Sequence, residues 1–197
     1  KVGVLRPWAN CGRSQPPRQE LFSLTMVGLI EFDLMKAGRM IMKKLAGGCT
    51  CGAVRYELSE EPIFQLICHC ADCQKASGSA FAEVLIVATD RLSIHGKEPK
   101  FFEVKAESGR SMNRGFCEKC GSPLMIRRPE TPQIAFLQAG SLDDPTVFEP
   151  AAEVFMCRAR SYDSPIEGAA QFENGPTSDV VRPVIEAHFA KRSQGKN

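Results

Sequence analysis

Residues 47–58 read GGCTCGAVRYEL: two glycines, a Cys-X-Cys pair at Cys49 and Cys51, a third glycine, and then Val54, Tyr56 and Leu58 alternating with Arg55 and Glu57. A period of two marks a strand with one face on a core, and the glycines let backbone approach closely around the sulfurs. The stretch predicts a β-strand leaving a metal knuckle. Working outward, further short β-type segments fall at 63–67, 81–88, 92–95, 101–105, 124–127, 134–139 and 154–158. Turn residues punctuate them at Glu61-Pro62, 96–99, Ser108-Gly109, Arg128-Pro129 and Asp144-Pro145. Two helices are expected. One is Ala71–Ser77, capped by Gly78; the other covers 179–191, with Val181, Ile185 and His188 or Phe189 on one face and Asp179 as N-cap. Residues 168–178 look like a surface loop leading to that last helix. The expected fold class is mainly β with short helices, one of them terminal.

The chain has 197 residues, 43% hydrophobic and 24% charged, enough to bury a core. Its 25 Lys and Arg against 23 Asp and Glu leave +2. Residues 1–39 carry six of the bases and three of the acids, so the remaining 158 residues hold 19 bases and 20 acids. That balance argues against nucleic acid as a partner, because phosphate binding needs a basic face. No apolar run approaches the roughly 18 residues of a membrane span, so no membrane partner is expected. Residues 1–41 differ from the rest, with Pro7, Pro16, Pro17 and spaced bases; 21–35 could form a loosely docked helix. Met40 and Met42 stand just before the first cysteine motif, so 1–41 reads as an N-terminal extension, poorly ordered or loosely docked, on a domain spanning 42–197. Secretory and organelle-targeting readings of the extension are weaker.

Nine cysteines stand at 11, 49, 51, 68, 70, 73, 117, 120 and 157, and seven of them form three tight clusters. Clustering of this kind converges on a metal rather than on a disulfide framework, and favours a reducing, cytoplasmic compartment. The Cys117-X-X-Cys120-Gly121 knuckle needs a second pair, which Cys49 and Cys51 can supply, closing a four-thiolate zinc site. Cys68, Cys70 and Cys73 then make three donors without an obvious fourth, the pattern of a catalytic zinc that keeps an exchangeable position. Three thiolates and Zn²⁺ sum to −1, a poor activator of water but a good holder of a soft sulfur ligand. Cys11 and Cys157 are expected to be unligated. His69, between the two cysteines of a CxC pair, is expected to point away from the ligands and act behind them or structurally.

GGCTCGAVRYEL, CHCADCQKASGSAF and GFCEKCGSPL, in this order, resemble the glutathione-dependent formaldehyde-activating family, also called the Gfa or centromere-protein-V type, with an Mss4-like fold. The likeness runs from about residue 45 to 127 and more weakly to about 172. It implies a β-sandwich-type zinc domain with Cys49, Cys51, Cys117 and Cys120 on a structural zinc and Cys68, Cys70 and Cys73 on a second, catalytic one. It also implies a carbon–sulfur lyase-type activity that joins glutathione, or a similar thiol, to formaldehyde or another small aldehyde. Departures from the family pattern at Thr50, at 152–155, which lacks a histidine, and at Tyr162 bear on the substrate, not the metal set. Glutathione carries two carboxylates, for which Lys75, Arg110 and Arg114 are candidate cations. The alternative from another class is a non-catalytic zinc-stabilised β module for protein–protein interaction or chaperoning, a role other Mss4-like proteins play. Oligomeric state is not legible.

Overall fold

A computed structural model of the protein describes residues 45–194. The expected extension 1–41, its possible helix at 21–35 and Cys11 lie outside the described residues. The elements run β1 (Leu45–Gly48), β2 (Val54–Leu58), β3 (Phe64–Cys68), α1 (Ala71–Ser77), β4 (Ala82–Ala88), β5 (Leu92–Gly96), β6 (Lys100–Lys105), β7 (Ser111–Phe116), β8 (Pro123–Arg127), β9 (Ile134–Gln138), β10 (Ala152–Val154), β11 (Ala170–Phe172) and α2 (Ser178–Gln194). The architecture is mainly β, with one short and one terminal helix among the described residues, as expected. No helix among them is long and apolar enough to cross a membrane.

The strands form two sheets: a small one in the order β1-β2-β5 and a large one in the order β11-β10-β3-β4-β9-β8-β7-β6. Pairing is antiparallel except around β10, which runs parallel to both β3 and β11. The centre of the large sheet is buried on both sides. Along β4 and β9, Val84, Ile86, Ile134 and Phe136 enter one core with Cys68 and with Val181, Val184 and Ile185 of α2. Leu85, Val87, Ala135 and Leu137 enter a second core with Val54, Tyr56 and Leu58 of the small sheet and with Cys49 and Cys117. This explains why 84–87 reads as an unbroken apolar run while β2 alternates cleanly: a strand covered on both faces has no polar side to show.

Close approach is required where the small sheet meets the large one. A Cβ on Gly47 would stand 2.4 Å from both Ser141 O and the Tyr56 hydroxyl, so only glycine fits. Tyr56, fully buried, bonds Ser141 Oγ at 2.8 Å and thereby fastens β2 to the turn after β9.

Several expectations need correction. The strand expected at 154–158 ends at Val154; Phe155 takes a left-handed backbone with φ of 60°, and Met156–Arg158 coil into a 3-10 turn. The loop expected at 168–178 contains β11, whose hydrogen bonds come from β10 rather than from any alternation of its own. β7 went unforeseen because Ser111, Asn113 and Arg114 give it no apolar period; β6 and β8 hold it through backbone pairing. Helix α2 begins a residue earlier than expected and places Asp179 in its first turn rather than at the cap.

Candidate metal centres

The first cysteine motif is the turn between β1 and β2. Gly52, with φ of 72°, closes it, its amide donating to Cys49 O at 3.0 Å. The third motif is the turn between β7 and β8, closed in the same way by Gly121 with φ of 76° and an amide bond to Cys117 O at 2.8 Å. The two turns face each other and are stitched by Thr50 N donating to Ser122 Oγ at 3.2 Å. Cys49, Cys51, Cys117 and Cys120 present sulfurs that all lie within 4.8 Å of one another. Cys49 Sγ to Cys51 Sγ is 3.5 Å and Cys51 Sγ to Cys117 Sγ is 3.7 Å. A tetrahedron with metal–sulfur bonds of about 2.3 Å has edges of about 3.8 Å, so the spacing fits zinc without rearrangement. Val54 N donates to Cys49 Sγ at 3.3 Å, the amide-to-sulfur bond that supports a thiolate. Cys49 and Cys117 are buried in the second core, whereas Cys51 and Cys120 reach the surface. Ser122, through its side chain first, draws the Cys120 thiol down to about 5.

The middle motif occupies the corner where β3 runs into α1, on the other side of the large sheet. Cys68 ends β3, Cys70 caps α1 and Cys73 lies in its first turn, Cys73 N donating to Cys70 Sγ at 3.4 Å. The three sulfurs lie within 4.8 Å of one another, and no fourth His, Cys, Asp or Glu joins them among the described residues. Hydrogen bonds from Cys68 and then Cys73 pull Cys70 down to about 3, while Cys68 is pushed well up, chiefly by Cys70 and then Cys73. Cys73 rises to about 12, the lowering effect of Cys68 being outweighed by Cys70 and by burial. Soft donors that hold two protons in the absence of a cation are a set that a thiophilic metal completes.

Behind this corner lies a buried polar network. His69 is 1% exposed, with Nε2 at 3.3 Å from Glu153 Oε1 and Nδ1 at 3.5 Å from Asp163 Oδ2. Glu153, equally buried, also accepts from Ile166 N at 2.7 Å. Gln74 Nε2 donates to His69 O at 2.8 Å and to Arg158 O at 3.0 Å, and its Oε1 accepts from Arg160 at 2.8 Å. His69 therefore points away from the three sulfurs, as expected, and ties the CHC segment to β10 and to the loop that follows it.

Of the expected cations, Arg114 reaches the corner: its Nη2 donates to Asp72 O at 3.3 Å and its charge acts on Cys73. Lys75 is an exposed residue of α1. Arg110 instead acts on Arg128, whose guanidinium lies 4.2 Å from the Phe136 ring centre and is lowered to about 10, mainly by burial and then by Arg110. Arg128, Arg158, Glu153 and Asp163 were missed. They lie far along the chain from the cysteines, and no spacing rule connects them. Cys157 belongs to neither sulfur cluster.

A mainly β fold with one four-sulfur and one three-sulfur group defines a class of cysteine-cluster proteins whose sulfurs could hold metal ions. The model of the family described as glutathione-dependent formaldehyde-activating enzyme matches residues 44–158, more than half of the chain, and the protein belongs to that family. Two curated relatives, both named "Putative glutathione-dependent formaldehyde-activating enzyme", come from Halomonas elongata and Talaromyces marneffei. The first is 33% identical over 103 residues, covering 50% of this chain and 66% of the relative. The second is 28% identical over 78 residues, covering 40% of this chain and 41% of the relative. The matches thus span less than two thirds of either relative. A crystal structure of a Rhodobacter sphaeroides protein aligns with 64% of this chain and 98% of its own, at 17% identity and a TM-score of 0.41.

Proposed function

We propose that the protein is a zinc-dependent enzyme of carbon–sulfur lyase type that binds glutathione, or a similar thiol, at Cys68, Cys70 and Cys73 and promotes its adduct with formaldehyde or another small aldehyde. The observation that carries this reading is that these three sulfurs converge without a fourth donor among the described residues, in a chain of the formaldehyde-activating family. Cys49, Cys51, Cys117 and Cys120 hold a structural zinc in this reading, within a domain covering residues 42–197, and 1–41 are an extension to it. Among the described residues the seven clustered cysteines are free while Cys157 is disulfide-bonded; the cytoplasmic setting in this reading rests on the seven free thiols. Neither nucleic acid nor membrane is a partner in it.

Zinc held by three thiolates keeps one position for an exchangeable ligand and lowers the pKa of a thiol that takes it. The chain's own residues supply geometry and charge. Cys70 carries the thiolate charge of the trio, and Cys68 and Cys73 hold protons that leave when a cation binds. The His69 network fixes the segment between Cys68 and Cys70, so the sulfurs keep their convergence. Arg114, bonded to Asp72 O, sets a positive charge beside Cys73 and beside the anionic guest. In the reaction a carbon–sulfur bond forms between the thiol sulfur and the aldehyde carbon, and the thiol proton ends on the former carbonyl oxygen. Thiols add to formaldehyde unaided, so the gain comes from holding the two together.

Stopped-flow measurement of adduct formation with and without the zinc-loaded protein tests the reading, with two zinc per chain as its companion requirement. Acceleration that disappears in Cys70→Ser, together with one of the two zinc, supports it. A rate equal to that in buffer replaces it with the zinc-stabilised binding module.

A further inference from the structure

The corner bearing Cys68, Cys70 and Cys73 is flanked by an ion pair that metal binding does not require. Arg158 donates in two-pronged fashion to Glu107, Nη1 to Oε2 at 2.6 Å and Nη2 to Oε1 at 2.7 Å. Each partner is fastened separately to the cysteine segment. Arg158 O accepts from the Gln74 side chain that also holds His69 O, so Arg158 is linked through Gln74, by two hydrogen bonds, to the residue between Cys68 and Cys70. Its guanidinium feels Glu107 most strongly and then the charges of Cys70 and Asp72. Glu107 arrives from the opposite side, at the tip of the β6–β7 hairpin. Its amide donates at 2.9 Å to the carboxylate of Asp72, the residue before Cys73.

The exposure of the pair is lopsided: the Arg158 side chain is 20% exposed and the Glu107 side chain 57%. A largely buried guanidinium is thus matched by a carboxylate that solvent can reach, at the tip of a hairpin. A second carboxylate of the same geometry can replace the first with the pair at Arg158 still neutral and both prongs kept, while Glu107 returns to solvent.

We propose that Arg158 is a specificity-determining residue that takes a carboxylate of the incoming thiol, and that Glu107 occupies this position until the guest arrives. The inference rests on the thiol-binding reading of the three-sulfur corner. Glu107 acts as a tethered competitor, so it weakens every acidic thiol by its effective concentration. A neutral thiol leaves the pair closed and gains nothing from Arg158. Arg114, on the same rim, adds positive charge for the second carboxylate of a dicarboxylic thiol.

The test uses the full chain loaded with cobalt(II), whose sulfur-to-metal charge-transfer band reports ligation at the corner, titrated with glutathione and with 2-mercaptoethanol. Glu107→Gln is expected to tighten glutathione about 5-fold by removing the competitor, and Arg158→Gln to weaken it about 10-fold. Mercaptoethanol should change less than twofold in either variant. Glu107→Gln lies on an exposed tip and leaves the fold intact, so it decides the matter even if Arg158→Gln is poorly folded. Glutathione affinity that moves no more than that of mercaptoethanol overturns the inference while leaving thiol binding in place. A band that neither thiol alters in the unsubstituted protein overturns the thiol-binding reading and this inference with it.

Discussion

The two sulfur clusters lie on opposite faces of the large sheet and are built in opposite ways. The four-sulfur group joins turns 66 residues apart, from Cys51 to Cys117, and its inner half belongs to the core between the sheets. The three-sulfur group draws on six consecutive residues at one strand-to-helix corner, backed by a polar network instead of a partner turn. A clip that closes a long loop acts on folding; a local corner can be emptied without releasing the rest. On the proposed reading, stability and chemistry fall on different sides of one sheet.

Removing Cys117, 1% exposed and facing Cys51, should break this comparison most severely. Cys117→Ser is expected to lose one metal equivalent and about 5 kcal/mol or more of stability, seen as a collapsed urea midpoint. Next comes His69→Leu, which leaves the buried Glu153 Oε1 without its partner and should cost about 3 kcal/mol; an unchanged denaturation curve would show the network to be idle. Cys70→Ser should lower stability by only about 1–2 kcal/mol while abolishing the second metal equivalent and thiol binding, as followed by metal analysis beside calorimetry. Equal stability losses in Cys117→Ser and Cys70→Ser would erase the distinction drawn here.

The thiol trio also makes pH a probe. In the metal-free protein Cys73 is raised from 9.0 to about 12, so its contribution is complete below pH 9 and is lost as pH climbs towards 12. Cys70, depressed to about 3, behaves oppositely: its contribution is complete above pH 9 and is lost as pH falls towards 3. Urea midpoints should therefore decline above pH 9 without metal and stay level with it. Loading the corner at pH 7 should release about two protons, measurable with an indicator dye. The smallest effect is expected at the surface pair of Arg55 with Asp143, where Arg55→Ala should cost about 0.5 kcal/mol, since that pair supports neither cluster.

The sequence carried the cysteine partition and most strands because both are local signals. Cys-X-Cys and Cys-X-X-Cys-Gly spacings fix where sulfurs point, and alternation at Val54, Tyr56 and Leu58 fixes which face is buried. What it did not carry depends on partners. Strand β11 exists through β10, and β7 through its two neighbours. A left-handed Phe155 has no signature, since only the surrounding structure can hold a bulky residue there. That bend turns the chain back so that Arg158 meets α1, which is why neither Arg158 nor its pairing with Glu107 could be foreseen.

The doubly covered strand β4 offers a built-in pair of spectroscopic reporters. Leu85 belongs with Cys49 and Cys117, while Val84 and Ile86, one peptide bond away on either side, belong with Cys68. Isotope-labelled methyl groups on these neighbours would register events at the two sulfur clusters as separate resonances, so a ligand's arrival on one side and its echo on the other could be timed within a single strand.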